Sequence, residues 1–312
     1  MSELSGLSEV THLNFADAVI TRVRSLGHPL CVGLDPHLDL IPALFRRGSM
    51  AAEDPATVAA VSELLEAFLD RLKGKVAIVK PQSAFFEQLG AAGIALLQQL
   101  MQRAREQGLL VLLDAKRGDI GSTAEGYARA YLDPNAPLRA DALTVNPYLG
   151  LSTLAPYLER CQSHGRGVFV LVKTSNPGSA DIQDLNVGGR PVFVQLAAAL
   201  SEPAKQLVGP DTGWSALGVV VGATYPEQAV RVREVLPNAL FLVPGYGSQG
   251  GSAKDATCAF VRGPAGLEGG LINSSRAILF PDAPGSSPSA WEKAVDAALD
   301  RAIDELGSAV SA

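Results

Sequence analysis

The sequence predicts an α/β protein built as a closed (β/α)8 barrel. Two features carry that expectation: eight short apolar runs recur along the chain, and stretches of helical periodicity separate them. Runs that are apolar at nearly every position read as strands buried on both faces, the mark of a parallel sheet covered by helices. Eight such units favour closure into a barrel over an open doubly wound sheet, the runner-up, which usually has fewer strands and a two-part organisation.

In chain order, a helix over Phe15 to Leu26 precedes the first strand, Leu30 to Leu34. The remaining strands are expected at Val76 to Lys80, Leu109 to Asp114, Ala142 to Val145, Val168 to Lys173, Leu217 to Val221, Leu240 to Val243 and Gly270 to Asn273. Helical patterns fall between them at Pro55 to Leu72, Phe85 to Glu106, Ala124 to Leu132, Leu151 to Cys161, Pro191 to Leu207 and Pro226 to Leu236, with a last one at Pro288 to Leu306. No Ser/Gly-rich linker or shift in composition divides the 312 residues, so one domain is expected, its barrel core spanning about 28–307.

Bulk properties exclude several classes. The 47% hydrophobic content implies a sizeable core. A net charge of −6 and a pI near 5.3 leave no basic field for a nucleic-acid backbone, so an anionic ligand must be caught locally. The opening Met-Ser-Glu-Leu-Ser-Gly lacks the features of a signal peptide, and no apolar run approaches the roughly eighteen residues of a membrane span. A cytoplasmic protein with no membrane partner is the expectation. Cys31, Cys161 and Cys258 are odd in number and far apart, and His12, His28, His37 and His164 form no ligand-spaced pair, so no disulfide framework or His/Cys metal site is expected.

The strand ends carry the chemistry. They read Asp35-Pro36, Lys80-Pro-Gln82, Asp114-Ala-Lys116, Asn146-Pro-Tyr148, Lys173-Thr-Ser175-Asn176, Gly222-Ala-Thr224, Pro244-Gly-Tyr-Gly247 and Asn273-Ser-Ser275-Arg276. In a barrel these positions converge on one mouth, where desolvated lysines and aspartates must be paired to be tolerable. Strand alternation puts Asp114 and Lys116 on one face, able to pair directly. Asp119 is expected in a loop, because Ser122-Thr-Ala-Glu125 matches a capping box and sets the next helix start near Ser122. Gly245-Tyr-Gly247-Ser-Gln-Gly250 matches G-x-G-x-x-G, yet only one further strand follows it, too few for a dinucleotide-binding unit. Loops after the seventh and eighth strands of a barrel commonly bind phosphate, and Arg276 supplies a fork-shaped donor there, so a phosphorylated substrate is expected.

Together these residues resemble the orotidine 5′-phosphate decarboxylase family, whose hallmark D-x-K-x-x-D-I followed by a threonine stands here as Asp114-Ala-Lys116-Arg-Gly-Asp119-Ile120-Gly-Ser-Thr123. Supporting segments run from Val32-Gly-Leu-Asp35-Pro36 to Ser274-Ser-Arg276 and include Ser175-Asn-Pro-Gly-Ser179. The enlarged stretches Pro36 to Pro55 and Asn176 to Arg190 resemble the longer, mainly bacterial subgroup.

The resemblance implies decarboxylation of orotidine 5′-monophosphate to UMP, the last step of de novo pyrimidine synthesis, in a homodimer with no metal or organic cofactor. It implies that Lys116 protonates C6 within an array completed by Lys80, Asp114 and Asp119, with Asp119 and Thr123 reaching the neighbouring subunit's site. Asp35 and Lys80 would hold ribose hydroxyls, Ser175 (or Thr174) the pyrimidine edge, Gln249 would bridge base and phosphate, and Arg276 would clamp the phosphate. Ile120, Pro244, Gly247 and Ser275 complete the implied substrate-binding set. Asn176 to Arg190 and Gly245 to Ser252 are the candidate closing loops.

Two other readings compete. A Mg²⁺-dependent sugar-phosphate decarboxylase or aldolase of the same barrel superfamily, such as 3-keto-L-gulonate 6-phosphate decarboxylase, would carry an acidic metal ligand at the end of the second strand, where Lys80 stands. A non-catalytic phosphate-ligand sensor would have no use for a proton donor flanked by two aspartates.

Overall fold

The computed structural model describes residues 13–247, 250–282 and 287–311. Eight parallel strands close into a barrel: β1 (Leu30–Leu34), β2 (Ile78–Pro81), β3 (Leu110–Arg117), β4 (Ala142–Val145), β5 (Gly167–Lys173), β6 (Ser215–Val221), β7 (Ala239–Val243) and β8 (Gly270–Ser274). Each pairs with its neighbour in sequence, and β8 closes on β1 in the register Leu30 to Ile272, Cys31 to Asn273 and Val32 to Ser274. Every residue of β1, β4, β6 and β7 is buried, as strands with side chains inside the barrel and helices outside must be.

The helices start and stop where local chemistry dictates. Phe15–Leu26 is capped by Asn14, whose side chain accepts from the Ala16 N–H. Its Phe15 ring packs edge-on against Phe169 of β5, and its buried Asp17 accepts hydrogen bonds from the Thr212 N–H and hydroxyl just before β6. The N-terminal helix thus covers the N-terminal ends of β5 and β6, opposite the strand ends that carry the charges. Pro55–Leu72 begins with proline in its first turn behind Asp54, which accepts from the Ala56 N–H.

Several boundaries differ from the sequence reading. The helix expected over Phe85 to Glu106 is two, Ala84–Glu87 and Gly90–Glu106, because the chain turns through a left-handed conformation at Gly90 (φ 66°). The helix expected from Leu151 opens with a 3-10 turn, Leu151–Leu154, and continues as Ala155–His164. The last helix runs from Pro288 to Ser311. The capping box at Ser122 does not form: the helix starts at Gly121 with Ile120 as N-cap and no side-chain cap. Glu125 instead binds Arg160 and Arg129, and these charge-assisted bonds outcompete a neutral cap. A capping box does form at Ser252 and Asp255.

The stretch from Pro36 to Pro55 holds only the 3-10 turn Leu38–Leu40 and further turns. The excursion after β5 folds into the short helix Ala180–Gln183 and a two-residue hairpin, Asn186–Val187 against Arg190–Pro191. No helix among the described residues is long and apolar enough to cross a membrane.

Candidate active site

The C-terminal strand ends surround a cavity of about 710 Å³, a size typical of small-molecule sites. Asp114 is at its centre. One carboxylate oxygen, Oδ2, accepts from Lys80 Nζ at 3.1 Å; the other, Oδ1, accepts from Lys116 Nζ at 2.7 Å and from the Thr144 hydroxyl at 2.8 Å. The carboxylate is therefore shared by two ammonium groups from adjacent strands.

Burial alone would raise the pKa of Asp114, but the charges of Lys80 and Lys116 and the hydrogen bonds from Lys116 and Thr144 outweigh it and hold the carboxyl well below its ordinary range. Burial likewise opposes the charge on Lys80, and the carboxylates of Asp114 and Asp35 outweigh it, raising the pKa above that of a free lysine. Both groups are locked in their charged forms. Lys116 is the more accessible partner, with 42% of its side chain exposed into the cavity against 6% for Lys80.

The Asp114–Lys116 pair expected from strand alternation is present, but regular alternation does not produce it. Lys116 has φ 48°, one of two non-glycine residues with positive φ among the described residues, and the β3–β4 register shifts between Leu113 and Arg117. The Thr144 hydroxyl on β4 holds this kink by accepting both the Ala115 N–H (3.0 Å) and the Lys116 N–H (2.9 Å) while donating to Asp114. A strained, non-glycine conformation fixed by a buried side chain is a common feature of working sites.

Beside Lys80, Asp35 Oδ1 and Asn273 Oδ1 are buried without a hydrogen-bond partner among the described residues, two acceptors open to hydroxyl donors. At the end of β5, Thr174 and Ser175 both line the cavity and differ in availability. The Thr174 hydroxyl donates to Asn176 Oδ1 and accepts from Gln183 Nε2, whereas no partner among the described residues engages the Ser175 hydroxyl. Pro244, Ser275 and Arg276 complete the wall, Ser275 Oγ accepting from Asn273 Nδ2 at 3.2 Å.

Of the residues singled out from the sequence, Asp35, Lys80, Asp114, Lys116 and Ser175 meet in this cavity with the three wall residues just named. Asp119, Ile120, Thr123 and Gly247 do not line it. Asp119 sits in the loop after β3, as expected, with Oδ1 accepting from the Ile120 N–H; Ile120 and Thr123 are exposed. Gln249 lies outside the described residues. Sequence reasoning did not single out Thr144, Gln82, Gln183, His37 or Phe85 as site residues. The one available signal was Thr144, a lone hydroxyl in the apolar run Ala-Leu-Thr-Val. Lys173, another strand-end charge, turns away from the cavity to pair with Asp184. Among the described residues no group of three or more His, Cys, Asp or Glu side chains is placed to hold a metal ion.

A model of the orotidine 5′-phosphate decarboxylase / HUMPS family matches residues 28–287, most of the chain. The chain belongs to that family. Among its relatives, the orotidine 5′-phosphate decarboxylase of Rhodopirellula baltica is 41% identical over 303 residues, covering 94% of this chain and 99% of the relative. The enzyme of the same name from Corynebacterium glutamicum is 42% identical over 249 residues, covering 78% and 83%. The solved structure of Leishmania donovani OMP decarboxylase superposes with a TM-score of 0.74 at 33% identity, covering 96% of this chain and all of that one.

Proposed function

We propose that this family member converts orotidine 5′-monophosphate to UMP and CO2 without a metal or organic cofactor. The observation that carries the proposal is the Lys80–Asp114–Lys116 array at the cavity centre, in a chain about 40% identical to proteins that bear this enzyme's name. In the reaction the bond between C6 and the carboxylate breaks, its electron pair stays on C6, and the Lys116 ammonium delivers a proton there. The neutral lysine then regains its proton from solvent.

The difficulty is an sp² carbanion that nothing in the substrate delocalises. A fixed ammonium, held by Asp114 in a site that needs no reorganisation, stabilises charge developing at C6 better than mobile water does. Asp35 and Lys80 serve the ribose hydroxyls, Ser175 the pyrimidine edge, Gln249 the base and phosphate together, and Arg276 with Ser275, Pro244 and Gly247 the phosphate end. Asp119, Ile120 and Thr123 act in the site of a second subunit, which makes the enzyme a homodimer with shared sites. Its place is the cytoplasm, in de novo pyrimidine synthesis.

The Mg²⁺-dependent alternative fits the donor set poorly, because a hard cation needs oxygen ligands and the end of β2 presents a buried ammonium. The deciding experiment follows the ultraviolet absorbance of orotidine 5′-monophosphate after adding purified protein in excess EDTA. Steady loss of substrate absorbance is expected, and Lys116→Ala should abolish it while UMP still binds. No turnover, or turnover only after Mg²⁺ is restored, would overturn the assignment.

A further inference from the structure

The excursion after β5 grips the strand end it springs from. Lys173 is fully buried and turned away from the cavity; its Nζ donates to Asp184 Oδ1 at 2.8 Å and to Ser179 Oγ at 3.1 Å, and lies 4.4 Å from the centre of the Tyr225 ring. Pulling Asp184 away would leave a buried ammonium without its carboxylate, which is costly, so the ion pair fixes where Asp184 sits. The preceding residue, Gln183, reaches back to Thr174 with both ends of its amide. Its Oε1 accepts from the Thr174 N–H and its Nε2 donates to Thr174 Oγ1, each at 2.9 Å.

Thr174 can then offer a ligand little. Its one hydroxyl proton goes to Asn176 Oδ1 at 2.7 Å, and its oxygen already accepts from Gln183. The hydroxyl left available at this end of the cavity is that of Ser175, whose backbone rests on Gly222: a Cβ there would come within 2.8 Å of Ser175 Cα and Cβ.

We propose that Gln183 is a positioning residue: its amide occupies Thr174 so that Ser175 alone presents its hydroxyl to the pyrimidine ring, with the Lys173–Asp184 pair holding Gln183 in register. The proposal rests on reading the cavity as the orotidine 5′-monophosphate site. It separates the base end of the ligand, which Gln183 governs, from the phosphoribosyl end, which it does not touch.

The test compares full-length wild type, Gln183→Ala and Gln183→Glu in three measurements: kcat/KM for orotidine 5′-monophosphate, and calorimetric Kd values for UMP and for ribose 5-phosphate. With two intramolecular hydrogen bonds lost, Gln183→Ala should lower Tm modestly and lower kcat/KM and UMP affinity about tenfold, while ribose 5-phosphate affinity stays unchanged. Gln183→Glu, which can still accept from the Thr174 N–H, should recover part of the loss. UMP affinity unchanged in Gln183→Ala, or equal losses for UMP and ribose 5-phosphate, would overturn the positioning role. If wild type binds UMP but releases no CO2, the catalytic assignment fails while the ratio of the two affinities still decides the role of Gln183. If wild type binds neither ligand, both fall.

Discussion

Thr144 has no proposed contact with substrate, yet one hydroxyl makes three bonds that shape the site, and Thr144→Val deletes all three with little change of shape. Its bond to the ionised Asp114 is charge-assisted, and its two incoming bonds come from the buried Ala115 N–H and the partly buried Lys116 N–H. The first is worth about 1.5–3 kcal/mol, and stranding the buried Ala115 N–H costs about 1–3 kcal/mol more, so a loss of about 3–5 kcal/mol is expected. The Lys116 N–H adds less, since water can reach it. Urea unfolding followed by fluorescence of the buried Trp214 and Trp291 measures that loss. Decarboxylation should fall with it, because the left-handed turn that aims Lys116 loses its support. Thr144→Ser keeps the oxygen and should restore both. A valine variant within about 1 kcal/mol of wild type and equally active would refute the idea that this hydroxyl holds the kink.

Protonation should tell the same story through stability. The Asp114 carboxyl has a depressed pKa in the folded state, so it stabilises the fold above the unfolded value of about 3.9, and the contribution disappears as pH falls through the folded value. The difference in unfolding free energy between wild type and Asp114→Asn should therefore be widest near neutrality and narrow steadily as pH falls below about 4; a gap independent of pH would contradict the pairing. Lys80 has the opposite sign: its raised pKa stabilises fully below the unfolded value of about 10.4, and that stability is lost only as pH rises through the folded value. Gly222→Ala should push Ser175 out of place, costing about 1–3 kcal/mol of stability and weakening UMP binding measured by calorimetry. Unchanged UMP affinity would mean that Ser175 does not depend on this close approach.

The barrel was legible because its strands are buried on both faces: the apolar runs at Leu30–Leu34 and Ala142–Val145 coincide with β1 and β4 to the residue. The strand-end charges were legible for the complementary reason, since a lysine or aspartate closing an apolar run must either leave the barrel or find a partner. What escaped was non-local. The kink at Lys116 depends on Thr144, which lies close only once β3 and β4 pair, and the Thr174 hydroxyl is occupied by Gln183, beyond the first turn of the excursion. The false capping box failed in the same way. A local pattern at Ser122 lost to Arg160, a partner 35 positions from Glu125.

The hallmark Asp114 to Asp119 is split in space, and the split has a consequence for assembly. Asp114 and Lys116 face the cavity of their own chain, while Asp119 sits beside exposed apolar surface: Ile120 is 61% exposed, Tyr148 79% and Leu149 52%. Gly118 seats this loop tightly on the segment after β4, since a Cβ there would lie 2.6 Å from the Asn146 carbonyl. In the proposed dimer Asp119 would serve the reaction from a second copy of the chain, and the apolar residues around it are the surface that copy would cover. Lys116→Ala and Asp119→Ala should each be inactive alone. In a two-fold dimer that mixes them, one site carries both defects and the other neither. Random assortment makes about half the dimers mixed, so co-expression should restore about a quarter of wild-type activity per site. Activity no greater than the sum of the two separate variants would show that Asp119 works within its own chain, or not at all.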